Sequence, residues 1–74
     1  MDMRKLVGGN VRKARIKAGL TQEQLAEASG YSQQYLSGLE QGLRNPTVIT
    51  LFELATALGV SHIDLLRPAR SRHR

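Results

Sequence analysis

Three times in this 74-residue chain a glycine is followed by an apolar residue and then by a hydroxyl: Gly19-Leu20-Thr21, Gly30-Tyr31-Ser32 and Gly59-Val60-Ser61. Each residue type has a separate task. Glycine ends a helix in the left-handed conformation that side chains resist. Serine or threonine caps the next helix by accepting from its free amides. The apolar residue between them sits at the position of a hydrophobic staple, and its N4 partner is apolar each time: Leu25 for Leu20, Leu36 for Tyr31, Leu65 for Val60. A fourth junction, Gly42-Leu43-Arg44-Asn45-Pro46-Thr47, is longer. There Gly42 stops a helix, Pro46 resists helix at Asn45, and Thr47 caps the next helix. These junctions predict five helices, at 4–18, 22–29, 33–41, 48–58 and 62–66, with no strand pattern between them. The expected fold is all-α, a compact five-helix bundle over residues 1–66.

Length permits one small core. With 41% hydrophobic residues and no cysteine, the chain has enough apolar content to fold and neither a disulfide framework nor a thiolate metal site. No apolar run approaches a membrane span, and the start Met1-Asp2-Met3-Arg4 does not read as a signal peptide, so a cytoplasmic protein is expected. The net charge of +5 is unevenly placed. Residues 67–74 hold four arginines and no acid, and are expected to form a disordered basic tail. Residues 1–66 hold seven basic and six acidic groups, a net of only +1. Most of the seven cluster in the first helix: Arg4, Lys5, Arg12, Lys13, Arg15 and Lys17. Basic charge at both ends suits a polyanion, or serves only to solubilise. Gly8-Gly9 falls inside helix 1 and is expected to loosen its first turn.

The stretch from Thr21 to Glu40 joins two of these helices by a tight turn. Thr21 with Gln24 forms a capping box at the start, Gly30 makes the turn, and Ser32 caps the second helix. On that second helix Leu36 and Leu39 face inward while Gln33, Gln34 and Ser37 face out. This is the sequence form of a helix-turn-helix, whose second helix enters the DNA major groove with its N-terminal end toward base edges. Gln33 and Gln34 are the first exposed positions there. Glutamine can pair bidentately with adenine, worth about 1–3 kcal/mol of discrimination. Ser37, one turn on, is placed to reach a base or a phosphate. Gly38 supplies no side chain where a reader could stand, at a cost to the helix of about 1 kcal/mol relative to alanine. Tyr35 lies off the apolar stripe, to touch thymine methyls or backbone or to cover the helix surface. Gln22, at the N-terminus of helix 2, is placed for a phosphate among free amides. Arg44 and Asn45, with Thr47 and Thr50, form a second expected backbone anchor, and Arg44 could alternatively enter the minor groove.

Helix 4 is apolar on more than one face. Val48, Leu51, Leu54, Ala55 and Leu58 are assigned to the core. Ile49 and Phe52, with Ile63 and Leu66 on the last helix, are left over as a candidate homodimer patch. Pairing on a palindrome would double the DNA interface of so small a domain.

Five blocks resemble the phage repressor and Cro family in order and spacing. They are Gly-Leu-Thr-Gln-Glu-Gln-Leu-Ala at 19–26, Gly-Tyr-Ser at 30–32, Leu-Ser-Gly-Leu-Glu-Gln-Gly at 36–42, Arg-Asn-Pro-Thr at 44–47 and Leu-Ala-Thr-Ala-Leu-Gly-Val at 54–60. The resemblance spans about residues 7–66 and implies a lambda-repressor-like fold and binding to double-stranded DNA. It also implies base reading by Gln33 and Gln34, a phosphate contact by Gln22 that braces Gln33, and a partly buried ion pair between Arg15 and Glu40 that orients the recognition helix. The run Tyr35-Leu36-Ser37-Gly38, the Arg44-Asn45 pair and the small size resemble, more narrowly, the controller proteins of restriction–modification systems.

Catalysis is not expected. His62 and His73 are the only histidines, the carboxylates have no metal-ligand spacing, and no glycine-rich phosphate loop follows a strand. No cofactor and no small-molecule effector domain are expected. The expected function is a sequence-specific transcriptional regulator, a repressor or controller acting as a homodimer on a palindromic operator. The competing reading is an antitoxin or other protein-interaction module on the same scaffold, with DNA binding secondary.

Overall fold

The computed structural model describes residues 1–68, so the expected tail lies outside the described residues from position 69 onward. Four α-helices follow one another, α1 (Met3–Lys17), α2 (Gln22–Ser29), α3 (Gln33–Glu40) and α4 (Val48–Leu58), and a 3₁₀ turn spans His62–Leu66. Among the described residues there is no strand. The four caps fall where the hydroxyls lie: Thr21, Ser32, Thr47 and Ser61 each accept from a backbone amide of the following turn. Gly30 and Gly59 end α2 and α4 with φ of 83° and 74°, a conformation only glycine takes cheaply.

The fifth helix is corrected to a 3₁₀ turn. It has only five residues, and so short a segment gains little from i→i−4 bonding. Its end is also held from outside, since Asn10 of α1 donates to the carbonyls of Leu65 at 3.0 Å and Arg67 at 2.7 Å. The first helix begins one residue earlier than expected because Asp2 caps it, its carboxylate accepting from the Arg4 amide at 3.0 Å. Gly8-Gly9 does not loosen α1, which runs unbroken through both. A Cβ at Gly8 would overlap the carbonyl oxygen of Leu39. Gly8 is therefore a point of close approach between α1 and α3.

The core consists of Val7, Val11, Leu25, Leu36, Leu39, Leu51, Leu54, Ala55, Leu58 and Leu65. The staple residues Leu20, Tyr31 and Val60 pack half-buried against it. Val48, expected in this core, is instead 73% exposed. It lies on the same helical stripe as Leu51, but at the first position of α4, where the chain does not close over it. An open apolar cavity of about 230 Å³ remains there, walled by Met3, Val7, Pro46, Val48, Leu51 and Leu66. Helix α3 is backed by α1 and α2. That leaves its N-terminal turn and outer face open.

Candidate nucleic-acid interface

The geometry of the outer face is set from behind. Glu40, at the end of α3, is nearly buried: its side chain is 3% exposed and that of Arg15 is 12%. Arg15 grips it with two bonds, Nε to Oε2 at 2.7 Å and Nη2 to Oε1 at 3.0 Å, and its Nη1 donates to the Leu20 carbonyl at 2.9 Å. The hydrogen bond to Glu40 raises the Arg15 pKa further above its ordinary value, outweighing the opposing effect of burial. Gln22 completes the cluster, its Nε2 donating to Glu40 Oε1 at 3.0 Å. One carboxylate therefore ties together α1, α2 and α3. In this arrangement the Gln22 amide is turned to Glu40, half-buried, and not to Gln33.

At the other end of α3, Ser32 accepts from the Tyr35 amide at 3.0 Å and fixes the first turn. Gln33 and Gln34 follow immediately, and both are exposed. Ser37 is half-buried, its hydroxyl accepting from Gln41 at 3.2 Å. Tyr35 does not stand free. Its ring stacks on Tyr31 with centroids 5.3 Å apart and planes inclined by 26°. The Arg44 guanidinium lies over the Tyr35 ring, 5.7 Å from its centroid.

Tyr31 anchors this stack. Its hydroxyl donates to the Glu53 carboxylate and lies 3.1 Å from Thr50 Oγ1, so the turn between α2 and α3 is pinned to α4. The Glu53 bond raises the Tyr31 pKa above the ordinary phenol value, the Thr50 bond opposing it. This arrangement corrects the expectation for Thr50. That residue is buried, and its hydroxyl is within hydrogen-bond distance of both Tyr31 and Thr47 Oγ1, each at 3.1 Å, so it is not free for a phosphate. Asn45 and Thr47 remain exposed, although the Thr47 hydroxyl already caps α4 at 3.1 Å. The structure thus leaves Gln33 and Gln34 exposed at the start of α3, sets Arg44 over Tyr35, and joins Gln22, Arg15 and Glu40 at the end of the same helix.

The sequence reading missed the roles of Tyr31, Glu53 and Asn10. Tyr31 was legible only as a staple; nothing in its spacing signals that its hydroxyl reaches Glu53 across the bundle. Asn10 carried a faint signal, a polar residue beside Val11 on the inner side of α1.

A second surface is apolar. Ile49, Phe52, Ile63 and Leu66 are all exposed, at 66%, 57%, 52% and 40%, and Val48 extends the patch. The His62 ring lies 6.0 Å from that of Phe52. Among the described residues no group of His, Asp or Glu is arranged to hold a metal ion, and no helix is long and apolar enough to cross a membrane.

Comparison with known proteins gives a consistent picture. A helix-turn-helix family model matches residues 11–65. The uncharacterized HTH-type transcriptional regulator y4dJ of Sinorhizobium fredii is 66% identical, over 92% of this chain and 88% of its own. The control protein C.SmaI of Serratia marcescens is 44% identical, over 89% and 79%. Among solved structures, the restriction–modification controller protein C.Esp1396I, a tetramer in complex with its natural 35 base-pair operator, superposes with a TM-score of 0.80 at 32% identity, covering 88% of this chain and 86% of that one.

Proposed function

The chain belongs to the helix-turn-helix family of DNA-binding transcriptional regulators, and on that premise we propose that it acts as a homodimer on a two-fold-symmetric operator. Each copy lays α3 in a major groove, with Gln33 and Gln34 against base edges and Ser37 one turn behind them. Arg44, Asn45 and Thr47 hold the phosphate backbone beside the groove, with Tyr35 at the boundary between the two kinds of contact. Gln22 is at the free amides of the α2 N-terminus, where a phosphate is favoured. It trades part of its bond to Glu40 for that contact. Bound over a promoter, such a dimer blocks polymerase or, from an adjacent site, recruits it.

The observation that carries this reading is the pair Gln33 and Gln34. Two adjacent exposed amides stand directly after the cap of a helix whose far end is locked by Arg15, Glu40 and Gln22. Locking the helix at its far end removes the freedom that would blur base discrimination. Support for pairing comes from the exposed patch of Ile49, Phe52, Ile63 and Leu66. Apolar side chains gathered in that way mark a contact surface more often than a solvated one. Self-association on DNA is also within the reach of relatives, since C.Esp1396I binds its operator as a tetramer.

Selection of bound duplexes from a randomised pool, at near-physiological salt, tests the proposal. A two-fold-symmetric consensus with half-sites about one helical turn apart, roughly 34 Å, is expected. Absence of any consensus, with binding that vanishes as salt rises, would reduce the interaction to phosphate attraction and sink the proposal.

A further inference from the structure

Arg44 is an exposed arginine in a loop, yet it is not loosely placed. Its guanidinium lies over the Tyr35 ring, and Tyr35 rests on Tyr31, which α4 holds through Glu53 and Thr50. The stem of Arg44 follows the surface of α3 at Gly38. A Cβ built on Gly38 would stand 3.0 Å from Arg44 Nε, 3.4 Å from its Cγ and 3.7 Å from its Cδ. The arginine therefore occupies the space that a side chain at position 38 would fill. The backbone of Gly38 contributes as well: its carbonyl accepts from the Leu43 amide at 2.9 Å, which fixes the chain just before Arg44.

We infer that Gly38 is a positioning residue for Arg44, an empty site on the recognition helix that seats the arginine stem and delivers its charge to the edge of the DNA-reading surface. The inference deepens the proposed function and rests on its assignment of Arg44 to the DNA backbone. Its physical basis is that glycine in the middle of α3 is a poor helix former, so what it contributes must lie outside the helix. Alanine at this position requires the arginine to give by a few tenths of an ångström. A long side chain evicts it. In neither case is backbone displaced, because the neighbour that must move is flexible.

Two measurements on full-length protein separate the parts. In the free protein, the Arg44 side-chain proton resonances carry a ring-current shift from Tyr35. Gly38→Met collapses that shift while the thermal midpoint stays at or above that of the parent. On mixed-sequence duplex DNA, Gly38→Met weakens binding about tenfold, the loss expected when a well-placed charge-assisted hydrogen bond goes. Gly38→Ala weakens it less. In an Arg44→Ala background, Gly38→Met has no further effect on binding. An unchanged ring-current shift in Gly38→Met overturns the inference, as does a binding loss that persists undiminished when Arg44 is already alanine. If Arg44→Ala itself binds DNA as tightly as the parent, the assignment of Arg44 to the backbone has failed. The resonance shift still decides, independently, whether Gly38 seats it.

Discussion

Gly8 and Gly38 lie on opposite sides of the same problem. Each is a helical glycine at a close approach involving α3, and each leaves out a side chain where something else must fit. At Gly8 that something is backbone, the Leu39 carbonyl, which cannot move without shifting α1 against α3. At Gly38 it is the stem of Arg44, which can move at little cost to the fold. The first glycine serves the seam between α1 and α3, and the second serves the exposed surface of α3. The same division separates the two arginines that lean on α3. Arg15 is nearly buried and spent on Glu40, whereas Arg44 is exposed and rests on an aromatic ring. Arg15 and Glu40 are thus saturated by the protein, while Arg44 keeps capacity for a ligand.

Substitutions behind the helix should therefore cost stability, and those in front should cost binding. The largest effect is expected for Glu40→Ala. It strands the Arg15 charge in a nearly buried site and removes the Gln22 bond, so unfolding in urea should show a loss of about 3–5 kcal/mol. That is enough to leave a domain of this size barely folded. Gly8→Ala should follow at about 2–3 kcal/mol, because the added methyl group has no room and only backbone to displace. Gly38→Ala should break the symmetry between the two glycines. Its thermal midpoint should hold or rise, by up to about 1 kcal/mol of stability, since alanine is the better helix former. A Gly38→Ala loss comparable to that of Gly8→Ala would erase the distinction.

The smallest effect concerns pH. Hydrogen bonding to Glu53 raises the Tyr31 pKa above the ordinary phenol value. A group whose pKa is raised on folding contributes stability fully below its unfolded pKa and loses it as pH rises through the folded one. Stability should thus be flat in this respect through neutrality and decline in the alkaline range. Urea midpoints measured across that range should show a shallower decline in Tyr31→Phe. If the two proteins decline in parallel, Tyr31 does not pin the turn to α4.

Much of the fold could be read from the chain because its junctions are chemically explicit. Thr21, Ser32, Thr47 and Ser61 are caps in the structure as in the sequence. Local chemistry also determined where α2, α3 and α4 begin. What escaped was set at a distance. The last helix is a five-residue 3₁₀ turn with its end bonded to Asn10, and Val48 stayed exposed because, among the described residues, nothing covers the first turn of α4. Thr50 looked free by spacing and is claimed by Tyr31 and Thr47. The same limit applies to the site. Exposed residues such as Gln33 and Gln34 followed from helical periodicity. The seat of Arg44 did not, since no sequence pattern states that a glycine is empty in order to hold an arginine.

Comparing operator consensus sequences selected by the parent and by Gln33→Ala tests base reading by the start of α3 most directly. In Gln33→Ala one position in each half-site should relax while the remaining positions and the half-site spacing are kept. An unchanged consensus would contradict it, because the exposed amide directly after the Ser32 cap would then read nothing.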